Sequence, residues 1–233
     1  MEYDGPSGDM YLPSMIVFDL DDCLWTPEMH ELYDMPSIPV KGNLDPGAIA
    51  TNERNLPRTA KLKRNRINQD GKNSFDTEMG VVGMKVAGTS QTVYLFDGAR
   101  RALREIAVDP KYKGVLIAVA SSSLEPTYSH ACLNNIEILP GLTMRGMISY
   151  DEIGRTGHLT SRKTTHFHAL HTDSQIPYDE MLFFDDCNWG DHCEDLSTAY
   201  GVIGQRTPNG MQLSEFYEGL DKFHKSKKKN EKT

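Results

Sequence analysis

The chain has 233 residues, 38% hydrophobic and 25% charged, with a formal net charge of −8. That length and apolar content suit one domain carrying an insertion. Its longest apolar run, Val115 to Ala120, is far below the roughly 20 residues of a membrane-spanning helix, and Met1 to Pro13 lacks the basic start and apolar centre of a secretory signal.

The charge is unevenly spread. Residues 41 to 72 hold eight Lys/Arg against three acids, and residues 222 to 233 hold six lysines against one glutamate. The remainder of the chain is strongly acidic, whereas a dedicated nucleic-acid binder would line a folded face with basic charge. The four cysteines, Cys23, Cys132, Cys187 and Cys193, have no CxxC spacing and read as reduced thiols. A cytoplasmic protein is expected, with nuclear import left open by the lysine tail.

Taken in chain order, Met15-Ile16-Val17-Phe18 is an apolar burst that ends in acids and predicts a buried strand. Residues 26–92 then read as an insertion within a single domain spanning 1–233. Its portion 41–74, rich in Asn, Arg, Lys, Gly and Pro, is expected to be mobile, and Met79 to Leu95 has the weak strand character of a hairpin. Ala99, Ala102, Leu103, Ile106 and Ala107 form one helix face, with Arg100, Arg101, Arg104 and Glu105 facing out. Gly114 to Ala120 predicts a second strand, ending in Ser121-Ser122-Ser123. Helices are expected after Pro126 and from about Lys163 to His171. Met181 to Phe184 predicts a third strand, ending in Asp185-Asp186, and Tyr200 to Ile203 a fourth. Leu213, Phe216, Tyr217, Leu220 and Phe223 stripe a C-terminal helix, after which residues 224–233 read as a disordered basic tail. The strand bursts are apolar throughout, as in parallel strands covered on both faces, and they alternate with helices. The expected fold is α/β, an open parallel sheet with flanking helices.

Ligands of such sheets bind beyond the carboxyl ends of the strands. The three clearest strands end in Asp19-Leu20-Asp21-Asp22, in Ser121-Ser122-Ser123 and in Asp185-Asp186, which would converge on one rim. Carboxylates gathered there repel one another unless a cation sits among them, and oxygen ligands of this kind suit Mg²⁺. A carboxylate on the metal can attack phosphorus with its other oxygen, and a second carboxylate two residues on can move the proton. A hydroxyl and an ammonium complete a phosphate cradle, for which Ser121 and Lys163 are the candidates.

In this order the motifs resemble the haloacid dehalogenase-like superfamily, and VFDLDDCLW, Val17 to Trp25, is similar to its magnesium-dependent phosphatase family. The likeness continues in AVASSSLEP, SRKTTHFHAL, MLFFDDCNW and Asn209 to Met211, covering residues 14–25 and about 93–223. It implies a Rossmann-like core with a minimal cap, and Mg²⁺-dependent phosphomonoester hydrolysis through an aspartyl-phosphate. By that resemblance Asp19 falls at the nucleophile and first metal ligand, and Asp21 at the acid/base with its backbone carbonyl on the metal. Ser121 and Lys163 fall at phosphate-binding positions, and Asp186, with Asp185 beside it, at the remaining metal carboxylate. Ser122, counted with the phosphate-binding residues, stands where an Arg is usual. Cys23 replaces the usual Thr and is expected to pack rather than react.

His166, His168 and His171 are expected to be structural, since only the last two share a helix face. The segment flanked by Cys187 and Cys193 reads as a loop. Trp25 is either core or a wall of the entrance. The expected substrates are a phosphotyrosine-type phosphoprotein or a small sugar phosphate, with no membrane partner and nucleic acid not expected. A nucleotide or nucleic-acid-end phosphatase, and a catalytically idle phosphoprotein-binding module, are the rival readings.

Overall fold

The computed structural model describes residues 10–45 and 78–230. Its centre is a five-stranded parallel sheet in the order β11-β10-β1-β6-β9. These are β1 (Met15–Phe18), β6 (Leu116–Ser121), β9 (Ile148–Ile153), β10 (Met181–Asp185) and β11 (Ile203–Arg206). The unbroken apolar runs have a simple cause. Successive side chains point to opposite faces, and each face is covered. Ile16, Phe18, Ile117, Val119, Leu182 and Phe184 enter one core, while Met15, Val17, Ala118, Ala120, Met181 and Phe183 enter the other.

The first core is closed by α1 (Asp97–Val108), α2 (Pro126–Asn135) and α6 (Leu213–Asn230), through Ala99, Ala102, Leu103, Cys132, Leu133, Phe216, Leu220 and Phe223. The second is closed by α4 (Lys163–Ser174) and α5 (His192–Tyr200), through Phe167, Leu170 and Leu196. A short helix, α3 (Met144–Met147), precedes β9, and β7 (Glu137–Leu139) pairs with β8 (Leu142–Thr143).

A second sheet, antiparallel and ordered β2-β5-β4-β3, leans on the first core. It consists of β2 (Trp25–Thr26), β3 (Pro36–Asn43), β4 (Met79–Val86) and β5 (Thr92–Leu95). Val81, Met84, Val86, Val93 and Leu95 join the apolar cluster beneath. β4 and β5 form the hairpin expected from Met79 to Leu95. β3 was not legible, because an edge strand with two prolines and mostly exposed side chains carries no apolar signal. Lys41 to Asn43, assigned to the mobile segment, belong to this strand. The rest of that expectation, from residue 46 on, lies outside the described residues.

Four further expectations are corrected. The fourth strand begins at Ile203 rather than Tyr200, because Tyr200 ends α5 and Gly201, at φ 76°, closes that helix in the left-handed conformation. The Cys187–Cys193 segment is a loop as far as Asp191, but His192 and Cys193 open α5, which the Asp191 carboxylate caps by accepting from Glu194 N. The tail is helical as far as Asn230, where Lys227 pairs with Glu180 at 2.7 Å and Asp179 at 3.0 Å. Arg100 does not face out. It is fully buried, donating from Nη1 to Glu137 O at 2.6 Å and from Nη2 to Val82 O at 3.1 Å, so it ties α1 to β7 and β4. Among the described residues no helix is long and apolar enough to cross a membrane.

Candidate active site

Asp19 follows β1 directly, and its N–H donates to Phe184 O at 2.9 Å, which keeps it in line with the sheet. The chain then turns sharply. Asp22 adopts φ 53°, and the amides of Cys23, Leu24 and Trp25 all point at Leu20 O. An Asp tolerates this left-handed backbone better than most residues. The turn sends Trp25 back beside Asp21. Trp25 is fully buried, and its Nε1 donates to Asp21 Oδ1 at 2.7 Å, so it is core and also positions a carboxylate. Asp21 Oδ2 accepts from Met29 N at 3.2 Å and from Ser123 Oγ at 3.4 Å. Burial raises the Asp21 pKa, the Trp25 and Met29 bonds restrain the rise, and Glu28 adds to it.

Lys163 is the first residue of α4 and is buried. Its ammonium donates to Asp19 Oδ1 at 2.5 Å and to Ala120 O at 2.7 Å, and stands 3.4 Å from Asp185 Oδ2. Burial works against its charge, but Asp19 and Asp185 outweigh burial and its pKa rises. Burial is likewise the largest influence on Asp19 and pushes its pKa up to about 8, opposed by Lys163 and reinforced by Asp185 and Asp186. The 2.5 Å contact is that of a charge-assisted pair, which favours the ionised form of both.

Oxygens of Asp19, Asp185 and Asp186 lie within 4.8 Å of one another. Asp185 Oδ1 accepts from Cys187 N at 2.8 Å, whereas its buried Oδ2 has no hydrogen bond, only the Lys163 charge nearby. Asp186 Oδ2 accepts from Asn188 N at 3.1 Å, and burial, with Asp185 beside it, pushes its pKa up to about 6. A buried carboxylate oxygen without a partner, among three gathered carboxylates, fits a hard divalent cation. The Asp21 carboxylate is not part of this group.

The group opens into a cleft of about 200 Å³ lined by Asp19, Asp21, Ser121, Ser122 and Asp186, with Glu28 and Trp189 at its rim. Ser121 is buried and Ser122 half-buried. Asp19, Asp21, Ser121, Ser122 and Asp186 therefore share one cavity, with Asp185 and Lys163 packed behind it. Cys23 lies beneath. Its thiol donates to Phe184 O at 3.5 Å and accepts from Thr207 Oγ1 at 3.4 Å, and burial raises its pKa well above the usual thiol range, as suits a packing residue.

The helix histidines are occupied elsewhere. His166 is buried with Nε2 3.1 Å from Gly154 O, and burial lowers its pKa to about 4. His171 Nδ1 lies 2.7 Å from Ile176 O against the Tyr178 ring, and His168 is exposed.

Glu28, His30, Leu124, Arg155 and Trp189 also line the cleft and were not singled out from the sequence. Trp189 is 76% exposed, with Nε1 donating to Glu28 Oε1 at 3.0 Å. Arg155 reaches the cleft from the loop after β9 and donates from Nε to Ser122 O at 2.7 Å. The only local signal was Gly154 and Gly157 flanking a basic residue, which marks a turn but does not say where the turn lies.

Comparison with protein families matches residues 71–226 to Acid Phosphatase. The match begins after Asp19 and Asp21, so those two stand on geometry alone. A comparison with curated proteins finds no match. Among solved structures, the chain is similar to the N-terminal part of the Bacteroides fragilis protein BF1531, containing a phosphatase domain complexed with Mg. Identity there is 14% over 91% of this chain, at a TM-score of 0.48, and the chain spans only 40% of that one's length. CbbY from Rhodobacter sphaeroides, in complex with phosphate, is 14% identical over 90% of this chain and 100% of its own, at 0.45. A haloacid dehalogenase-like hydrolase from Streptococcus pneumoniae is 10% identical over 89% of this chain and 90% of its own, at 0.43. The family match spans well over half of the sequence and agrees with the motif order and the parallel sheet. This chain therefore belongs to the Acid Phosphatase family.

Proposed function

We propose that the protein is a Mg²⁺-dependent phosphomonoesterase that works through an aspartyl-phosphate on Asp19. The observation that carries this reading is the group of Asp19, Asp185 and Asp186 oxygens within 4.8 Å, backed by the Lys163 ammonium and open to the cleft that holds Asp21 and Ser121. Asp19, Asp185, Asp186 and the Asp21 carbonyl would hold the ion, which supplies charge neutralisation of the entering phosphate. Asp19 attacks phosphorus with a carboxylate oxygen, and the bond to the leaving oxygen breaks. Asp21, whose pKa burial raises, gives its proton to that oxygen. The resulting Asp21 carboxylate takes a proton from the water that cleaves the acyl-phosphate. Ser121 holds the phosphoryl oxygens, and the Lys163 ammonium holds the Asp19 charge.

Phosphotyrosine-type aryl phosphates are favoured over small sugar phosphates. Trp189, 76% exposed, and Leu124, 57% exposed, stand at the cleft and offer apolar surface to a ring but few hydrogen bonds to a sugar. Asp19, Asp21, Glu28 and Asp186 line the same cleft and weigh against a polynucleotide end. The protein is read as cytoplasmic.

The test is hydrolysis of p-nitrophenyl phosphate, a phosphotyrosine peptide and a hexose phosphate, after chelation and after Mg²⁺ is restored. Activity is expected to vanish with chelator, return with Mg²⁺ and favour the two aryl esters, while Asp19→Asn stays inactive. Full turnover in the stripped protein, or by Asp19→Asn, overturns the mechanism. A preference for the hexose phosphate overturns the substrate assignment.

A further inference from the structure

The cleft has a charge problem that its catalytic residues do not solve. Four carboxylates line it, while the Lys163 ammonium behind it is committed to Asp19, Ala120 O and Asp185. Arg155 brings the one guanidinium or ammonium among the described lining residues. It comes from the loop after β9, across the cleft from the Asp19 turn.

We propose that Arg155 is a phosphate-binding residue of this site, a guanidinium fork docked on the main chain of the Ser121-Ser122 segment. The inference rests on the phosphatase reading above and deepens it. The geometry is specific in three respects. Arg155 Nε donates to Ser122 O at 2.7 Å, and no other hydrogen bond or ion pair holds the side chain among the described residues, so its two terminal nitrogens are free for a ligand. Gly154 N donates to Ser121 O at 2.8 Å, tying the start of the loop to the segment that carries the Ser121 hydroxyl. Gly154, at φ 105°, has a backbone that an L side chain rarely adopts, so this glycine permits the turn that aims Arg155 inward. Ser122 itself carries no charge, and the guanidinium docked on its carbonyl puts a cation at that position from the loop after β9. Anchoring through Nε also reduces the freedom lost when the fork closes on phosphate oxygens.

The experiment titrates inorganic phosphate into the Mg²⁺-supplemented protein by calorimetry and measures KM and kcat for p-nitrophenyl phosphate. It compares wild type, Arg155→Gln, Arg155→Lys and Asp19→Asn. Arg155→Gln keeps an N–H donor for Ser122 O but loses the charge. It should weaken phosphate binding and raise KM by about 10- to 100-fold, with kcat changed less than about threefold. Arg155→Lys should recover part of the loss, because it restores charge without the fork. The residue is exposed, so both variants should keep the wild-type Tm. A purely structural prop predicts wild-type phosphate affinity for Arg155→Gln, and that result overturns the proposal. The phosphatase reading survives it if Asp19→Asn is inactive. A wild type that neither binds phosphate nor turns over overturns both.

Discussion

Lys163 and Arg100 are both cations buried almost completely, yet they occupy opposite kinds of surroundings. Lys163 sits at the carboxyl edge of the parallel sheet between Asp19 and Asp185. Arg100 sits between α1 and the antiparallel sheet, and its hydrogen bonds go to the carbonyls of Glu137 and Val82. Removing either charge from water is costly, so each must be matched by its partners. Carboxylate partners leave a charged group that can exchange a cation, a phosphate or a proton. Carbonyl partners cannot ionise, and they turn the cation into a rivet between layers. Burial lowers the Arg100 pKa to about 10, still charged at neutral pH, whereas the Lys163 pKa rises because anions surround it. A buried charge therefore marks a site only when its partners can also change charge.

After the loss expected for Asp19→Asn, the largest effect at the site lies at Asp21. Asp21→Asn keeps a polar group facing Trp25 but loses the proton, so kcat should fall by about 10² to 10⁴-fold, least for esters with good leaving groups. An equal loss for p-nitrophenyl phosphate and an alkyl phosphate would remove Asp21 from proton transfer. Lys163→Met comes next. It removes the ammonium from Asp19 and should lower kcat by roughly 10² to 10³-fold, measured per molecule with native circular dichroism. Arg100→Met should do the reverse. It strands the Glu137 and Val82 carbonyls and should cost about 2 to 4 kcal/mol in denaturant unfolding, while kcat of the folded fraction is unchanged. If Arg100→Met lowered kcat as far as Lys163→Met, the distinction between site cation and rivet would collapse.

The smallest effect concerns His166, buried on the second face of the sheet. Its pKa is about 4 in the folded chain against an ordinary 6.5, so the unfolded chain binds the extra proton first as pH falls. Its contribution is fully present above about pH 6.5 and is lost as pH falls through about 4, amounting to at most about 3 kcal/mol. His166→Asn should flatten the stability profile over that window. An unchanged slope between pH 6.5 and 4 would show that His166 does not carry it.

Legibility followed burial pattern. β1, β6 and β10 were visible because central parallel strands are apolar on both faces, and the acids and serines at their ends stand out against that background. β9 was invisible for the opposite reason. ISYDEI is an edge strand with no fully buried residue, so neither run nor alternation betrays it. Missing β9 meant missing the loop behind it, and Arg155 with it. Arg100 was misread because helical spacing gave it to the outer face, while the insertion folded back over α1 and covered it.

By itself the sequence determined which residue types end the central strands, and in what order: Asp19 and Asp21, Ser121, then Asp185 and Asp186, with Lys163 opening the helix before the last of them. Those follow from local hydrophobicity and chain order, which need no knowledge of long-range contacts. Only the tertiary structure decided what holds them. The Trp25 indole on Asp21, the Lys163 ammonium on Asp19 and the Arg155 guanidinium on Ser122 join positions 4, 144 and 33 residues apart. Such pairings depend on how strands are ordered in the sheet and where loops return to its edge, and neither quantity has a signature in the spacing of residues along the chain.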